Sequence, residues 1–274
     1  MNTIDLEKKA SFLRRQILET IISAGKGHIG GALSCVDLMT VIYYGIGFVH
    51  SPTNPNHKKR DRLIFSKGHA SIAQFVVLQD LGYFPENELH RLNNRGLLGE
   101  HPNHLIPGIE VASGSLGHGL GICCGFSLAD KGINDNLSIV VLGDGECYEG
   151  SIWESALFAG HHQLNRLVAV VDRNGLCATG STEEVNRLEP FSDKWRAFGW
   201  EVREINGHNI DEIKSSMLDV RTRTTKKPLA IIANTIKGKG LTFIEGKSSS
   251  HHGGISKEMI DQARSELPYE RGDQ

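Results

Sequence analysis

Apolar strands alternating with helices predict an α/β fold, a mostly parallel sheet with helices on both faces. Two runs carry most of this prediction. Leu137-Ser-Ile-Val-Val-Leu142 and Leu167-Val-Ala-Val-Val171 are apolar almost throughout, as strands covered on two faces must be. A helical stretch, Trp153 to Gln163, lies between them. Two further strands, Trp200 to Ile205 and Leu229 to Ala233, are separated by a helix from Ile210 to Thr222. No repeat, low-complexity tract or long linker divides the chain, so residues 1–274 read as one domain.

The remaining elements follow in order. Residues 4–24 carry Leu6, Phe12, Leu13, Ile17 and Ile21 at helical spacing, and Gly25-Lys-Gly27 stops that helix. Ser34 is expected to cap a helix from Cys35 to Gly45. A Pro/Asn loop spans 51–59. Arg62 to Ser66 reads as a short buried strand, and His69 to Leu81 as a helix. Residues 96–115 are rich in Gly, Pro and His without periodicity. A loop of that length inside a compact domain is usually functional. Leu116 to Lys131 reads as a Gly-rich helix.

Composition narrows the function. The net charge of -2 lacks the basic excess of a nucleic-acid binder. Five scattered cysteines fit a reducing compartment better than a disulfide framework. Charges interrupt the N-terminal apolar positions, and no apolar run approaches membrane length, so a cytoplasmic protein without a membrane role is expected. Glycine, at 31 of 274 residues, exceeds the usual ~7%. The excess points to tight turns and close backbone approaches.

The strongest chemical signal is Gly143-Asp144-Gly145 at one strand end, with Asn174 at the end of the next. Ligands of open α/β sheets sit at the carboxyl ends of strands. A carboxylate and an amide oxygen suit Mg²⁺ or Ca²⁺ together with phosphate oxygens, and flanking glycines let backbone N–H groups approach an anion. Either segment alone also reads as a simple turn; the pair, joined by one helix, favours a metal–diphosphate site.

A second signal is histidine in Gly-rich settings: Gly27-His28-Ile-Gly-Gly31, Ser66-Lys-Gly-His69, Glu100-His-Pro-Asn103 and Ser113-Gly-Ser-Leu-Gly-His118. Singly, each reads as a cap or surface residue. Together they predict a shared polar pocket able to donate, accept or relay protons. Their spacings match no zinc signature. His57, His90, His161, His162 and His208 read as structural, as do Cys123, Cys124 and Cys147. Lys237-Gly-Lys-Gly240 reads as a mobile basic loop, and Ser248 to Gly254 as a flexible one within which two histidines could reach a site.

These motifs resemble the thiamine diphosphate-binding half of transketolase. The resemblance runs in order through Gly27-His28-Ile-Gly-Gly, Phe65-Ser-Lys-Gly-His-Ala70, Glu100-His-Pro, Gly108 to Gly117, Gly143-Asp-Gly-Glu-Cys-Tyr-Glu-Gly150 and Asp172-Arg-Asn-Gly175. It implies the thiamine diphosphate-binding fold of a diphosphate-side (PP) domain. It implies thiamine diphosphate with Mg²⁺ (Ca²⁺ or Mn²⁺ in its place) as cofactors. Asp144 and Asn174 would ligate the cation with the Leu176 carbonyl. The diphosphate would sit on Gly143, Gly145, Asn174, His69 and His252, the last preferred over His251 because Gly253 follows it. Leu116 and Gly117 would pack at the thiazolium. His28 and His101 would contact sugar oxygens and, with His69 and His252, assist proton transfer. Glu149 resembles a buried interface carboxylate linking paired active sites. His118 departs from the family, where Gln is common.

The family's pyrimidine domain, which completes the active site, has no counterpart in these residues. The expectation is therefore a split enzyme: an N-terminal subunit, active only with a C-terminal transketolase subunit, in an α2β2 heterotetramer acting on sugar substrates. Its reaction would move a two-carbon ketol unit from a ketose to an aldose. The alternatives are an α-type subunit of another thiamine diphosphate enzyme (2-oxo acid dehydrogenase or deoxyxylulose-phosphate synthase-like) and a non-catalytic partner chain.

Overall fold

The computed structural model describes residues 1–94 and 96–268. Its sheet has five strands: β1 (Arg62–Phe65), β2 (Ser138–Gly143), β3 (Leu167–Arg173), β4 (Glu201–Asn206) and β5 (Leu229–Asn234). They lie in the order β1-β2-β3-β5-β4, and every neighbouring pair is parallel. The carboxyl ends of all strands therefore share one edge.

Alternation along the strands splits the core in two. Leu63, Phe65, Ile139, Val141, Val168, Val170, Leu229 and Ile231 face one side. There they meet α1 (Thr3–Ala24), α2 (Ile29–Thr40), α3 (Ile72–Asp80) and α8 (Ile210–Leu218). Ile64, Val140, Leu142, Leu167, Ala169, Val171, Ala230 and Ile232 face the other. These pack on α4 (Gly119–Asp130), α5 (Gly150–His161) and α7 (Phe191–Ala197). Two short helices, α6 (Thr182–Val185) and α9 (Ile260–Glu266), flank the layers. Burial of each large aliphatic side chain contributes ~1.5–3 kcal/mol, so the fully buried strands supply much of the driving force.

Helix α1 starts as a reciprocal capping box between Asn2 and Asp5 and ends at Gly25, where φ is 77°. Edge strand β4 is the least apolar strand; its Arg203 pairs with Glu201 and Asp219. Charge on an edge discourages pairing with another chain.

Two helices differ from expectation. Helix α2 begins at Ile29, not Cys35, and Ser34 caps nothing: it is buried inside the helix, where its hydroxyl reaches Asp172. The Gly30-Gly31 pair disguised the start, because glycine is a poor helix former. Here close packing decides, since a Cβ at Gly30 would stand 2.5 Å from Ser250 Oγ. Helix α4 begins at Gly119 rather than Leu116, because Gly117 adopts φ 88°. The expected single domain includes residues 269–274, which lie outside the described residues.

Candidate active site

Four strand ends build the site. After β1 the chain turns through Ser66-Lys67-Gly68-His69; after β2 comes Asp144; after β3, Asn174 to Leu176; after β5, Thr235 to Lys237. The N-terminus of α2, preceded by His28, and the Gly-rich loop before α4 close over them.

Asp144 and the Asn174–Leu176 turn are bound to each other. Asp144 Oδ2 accepts the Gly175 N–H at 2.6 Å, and Oδ1 accepts that of Gly145 at 2.8 Å. Asn174 Oδ1 accepts the Leu176 N–H at 3.1 Å. The Asp144 carboxylate is thus tied to the turn that carries the Asn174 amide and the Leu176 carbonyl, and oxygens of these types are a donor set suited to a hard divalent cation. The electrostatics agree. Burial, and next the neighbouring charge of Asp172, push the Asp144 carboxyl above its ordinary range. Arg173 offers only partial relief, 3.6 Å away. A bound cation would favour the ionised form of this buried carboxyl, so the residues fit a metal.

Beneath them lies a buried ion pair. Lys67 and Asp172 are 1% and 0% exposed, so neither charge reaches water. Asp172 also accepts hydroxyls from Ser34 and Thr235, and Lys67 donates to the Gly31 carbonyl at 3.1 Å. Burial works against both charges. Lys67 and the hydroxyls nevertheless hold Asp172 below the usual carboxylate range, and Asp172 holds Lys67 up at about 12. A second buried carboxylate, Glu146, is raised by burial and accepts from Ser66 Oγ and from the N–H groups of Gly117 and Gly143. It ties the half-buried Leu116-Gly117 segment to the Asp144 turn.

The imidazoles do form one cluster. The His28 ring centroid lies 4.6 Å from that of His252, 5.3 Å from His251, 5.4 Å from His69 and 6.4 Å from His101. The loop carrying His101 comes close because Gly114, with φ 134°, has no Cβ; one there would stand 2.6 Å from the His101 ring. Burial, and next the charge of Lys67, lower His69 to about 2. Burial lowers His28 and His251 to about 4, helped by His252 and Lys237 respectively. All three are neutral near pH 7. His118 is exposed at the start of α4, and Glu149 is exposed at the start of α5, so any burial of Glu149 needs another chain.

Two segments read as loose loops are instead fixed. Lys237 is 2% exposed and donates to the Leu176 carbonyl and to His251 Nδ1, both at 3.2 Å. Burial, and next Lys67, bring it down to about 8. Residues 248–251 form a 3₁₀ turn, and Gly253 pairs with Gly27 through two backbone hydrogen bonds. His251 consequently packs against His69 at 5.1 Å, on the metal-loop side, while His252 turns toward Glu100.

Sequence reasoning missed Lys67, Asp172, Glu146, Lys237 and Glu100. All five stand inside motifs already singled out, each overshadowed by the histidine, aspartate, asparagine or glycine beside it. Asp172 had a further signal of its own, a charge closing an apolar strand.

A metal-ready turn, a buried ion-paired floor and an imidazole cluster at the strand ends are the features of a cofactor-dependent α/β enzyme domain. The model of the transketolase thiamine diphosphate binding domain matches residues 6–273, so the chain belongs to that family. Its cofactor is thiamine diphosphate with a divalent metal. The chain is 42% identical to the 6-deoxy-6-sulfo-D-fructose transketolase subunit SqwG of a Clostridium species, covering 97% of this chain and 98% of that one. It is 39% identical to an apulose-4-phosphate transketolase subunit of Phocaeicola vulgatus, over 97% and 94%. The transketolase structure from Campylobacter jejuni superimposes with a TM-score of 0.89 at 30% identity. That match covers 97% of this chain but 43% of that one.

Proposed function

We propose that this chain is the cofactor-holding subunit of a split transketolase, which moves a two-carbon ketol unit from a ketose or ketose phosphate to an aldose. The observation that carries this reading is the cluster of five imidazoles at the strand ends, linked through Lys237, which bonds both His251 and the Leu176 carbonyl, to the turn that Asp144 holds. When bound, thiamine diphosphate supplies an electron sink for cleaving and remaking carbon–carbon bonds beside a carbonyl.

The protein's part is binding, orientation and proton traffic. Asp144, Asn174 and the Leu176 carbonyl hold the cation. Gly143 and Gly145 offer close backbone to the diphosphate, and His69 donates to it. His251, set between His69 and Lys237, joins them on the diphosphate side, while His252 stands over His28 on the sugar side. His28 and His101 contact sugar oxygens and, being uncharged in the case of His28, accept protons from hydroxyls. Leu116 and Gly117 pack beside the reacting ring.

The second half comes from a C-terminal transketolase subunit. The exposed faces of α4 and α5 offer it a surface of Gly121, Ile122, Gly125, Leu128, Leu157 and Phe158, with Glu149 at its edge. These groups are small or apolar, as suits the centre of an interface, with the exposed Glu154 beside Leu157 and Phe158. In this reading the assembly is an α2β2 heterotetramer acting in the cytoplasm. The named activities of the two relatives suggest dedicated sugar substrates, sulfonated or phosphorylated.

The test is reconstitution. Ketol transfer is measured with the chain alone, its candidate partner alone, and both. Robust turnover by the single chain overturns the split-subunit reading. In the pair, Asp144→Asn should abolish Mg²⁺-dependent cofactor binding by calorimetry; unchanged affinity removes Asp144 from the metal site.

A further inference from the structure

Glu100 occupies a position that neither the metal turn nor the diphosphate needs. It sits in the long loop, next to His101, with about a third of its side chain (37%) in contact with solvent. One oxygen, Oε1, lies 3.1 Å from His252 Nε2 and 3.5 Å from His28 Nδ1. His28 Nδ1 is itself buried and makes no hydrogen bond, so this Glu100 oxygen at 3.5 Å is a charge beside it rather than a hydrogen-bond partner. The three ligating atoms fall within 4.8 Å of one another.

A neutral imidazole carries its proton on one nitrogen only, and the group facing the other nitrogen decides which. A carboxylate accepts and never donates while ionised. Glu100 therefore draws the proton of His252 onto Nε2 through a hydrogen bond, and by its charge 3.5 Å away it favours the His28 proton on Nδ1. The opposite nitrogens, His28 Nε2 and His252 Nδ1, are left as bare acceptors.

We propose that Glu100 is a positioning residue, fixing the tautomers of His28 and His252 so that both present acceptors to hydroxyls of the bound sugar. The sugar in this statement rests on the ketol-transfer reading; the tautomers do not. The other groups around His28 are the rings of His69, His101 and His251 and the Lys237 charge. None of the rings lies as near His28 as that of His252, and an ammonium offers no acceptor. Glu100 is thus the group that breaks the symmetry of the cluster. Behind metal-ligating imidazoles a carboxylate matters by a factor of about ten to a hundred, and the lower end of that range sets the scale expected here.

The experiment reads tautomers directly. The full chain is labelled with ¹⁵N-histidine, and its ring nitrogens are recorded at pH 7.5 in wild type, Glu100→Ala and Glu100→Gln. Wild type should show His28 protonated at Nδ1 and His252 at Nε2. Glu100→Ala should mix or reverse at least one of the two. Glu100→Gln, whose amide oxygen still accepts, should keep them. With the partner subunit present, Glu100→Ala should lower kcat by on the order of tenfold, with the ketose KM changed less than about twofold. Identical ring signals in wild type and Glu100→Ala overturn the proposal, as does an unchanged kcat in an active pair. If no pair shows ketol transfer, the functional reading fails alone, and the nitrogen signals still decide what Glu100 does.

Discussion

Replacing Lys67 by Met tests the floor of the site. The variant keeps the length of the side chain but leaves Asp172 at the end of β3 with no cation and 0% exposure. Two outcomes compete, and the cheaper one sets the loss. A buried carboxylate stripped of its partner costs about 3–5 kcal/mol. Alternatively Asp172 takes up a proton: raising a carboxyl from about 3.9 to above pH 7 costs roughly 4 kcal/mol, three units at 1.36 each. The hydroxyls of Ser34 and Thr235 remain in place, so the loss should settle near 3–4 kcal/mol at pH 7. Urea unfolding followed by the fluorescence of the buried Trp195 and Trp200 reads it out. The deficit has a signature. If the folded variant protonates Asp172, it binds a proton that its unfolded chain lacks above pH 4. Its deficit against wild type should then shrink by about 1.4 kcal/mol per pH unit on acidification toward pH 5. Lys67→Met with Asp172→Asn should recover part of the loss, because no buried charge is left. A loss under about 1 kcal/mol refutes the argument that this pair neutralises itself inside the protein, whereas a large deficit that does not change with pH means that Asp172 stays ionised without its partner.

Three other outcomes are expected. His69, His28 and His251 stay neutral in the fold, at about 2, 4 and 4, while in the unfolded chain they protonate near 6.5. The unfolded state therefore binds more protons at acid pH. Stability from these groups is full above pH 6.5 and falls as pH drops from 6.5 toward 4; a urea midpoint unchanged from pH 7.5 to 5 contradicts this. Gly30→Ala places a Cβ 2.5 Å from Ser250 Oγ and 2.6 Å from its carbonyl oxygen, pushing the His251–His252 turn outward. Cofactor affinity should fall by on the order of tenfold even though Ala suits a helix better by ~1 kcal/mol, and calorimetry in the assembled pair measures it. Leu157→Glu, at a 58% exposed position on α5, should weaken association with the partner by on the order of tenfold or more while leaving the chain's own unfolding within about 0.5 kcal/mol. Gel filtration of the mixed chains separates the two effects.

What the sequence revealed and what it concealed divide along a physical line. The strands were legible because a parallel sheet covered on both faces demands apolar runs, and Leu137–Leu142 and Leu167–Val171 are such runs. The pairing of the Asp144 turn with the Asn174 turn was legible because the two residues each stand at the end of one of those runs, a place that the chain's local order specifies. The His28, His69 and His101 cluster was legible only in part, from Gly-rich surroundings; the spacing of 28, 69 and 101 says nothing about ring distances of 5.4 and 6.4 Å. Misread boundaries had a single cause. At Gly30 and Gly117 glycine serves packing or a positive φ, so neither propensity nor periodicity marks the true helix start. The buried charges were the hardest to see. Lys67 and Asp172 are 105 positions apart, and Lys237 and Leu176 are 61 apart. In the sequence each looks like an ordinary polar residue at a loop. Only the parallel order β1-β2-β3-β5 brings the ends of these strands to the same edge, where a lysine after β1 meets an aspartate on β3 and a lysine after β5 meets the turn after β3. The same topology that assembles the site thus determines which charges must be buried. A lone Lys or Asp at a strand end of such a sheet is for that reason a stronger sign of a functional floor than its local sequence suggests.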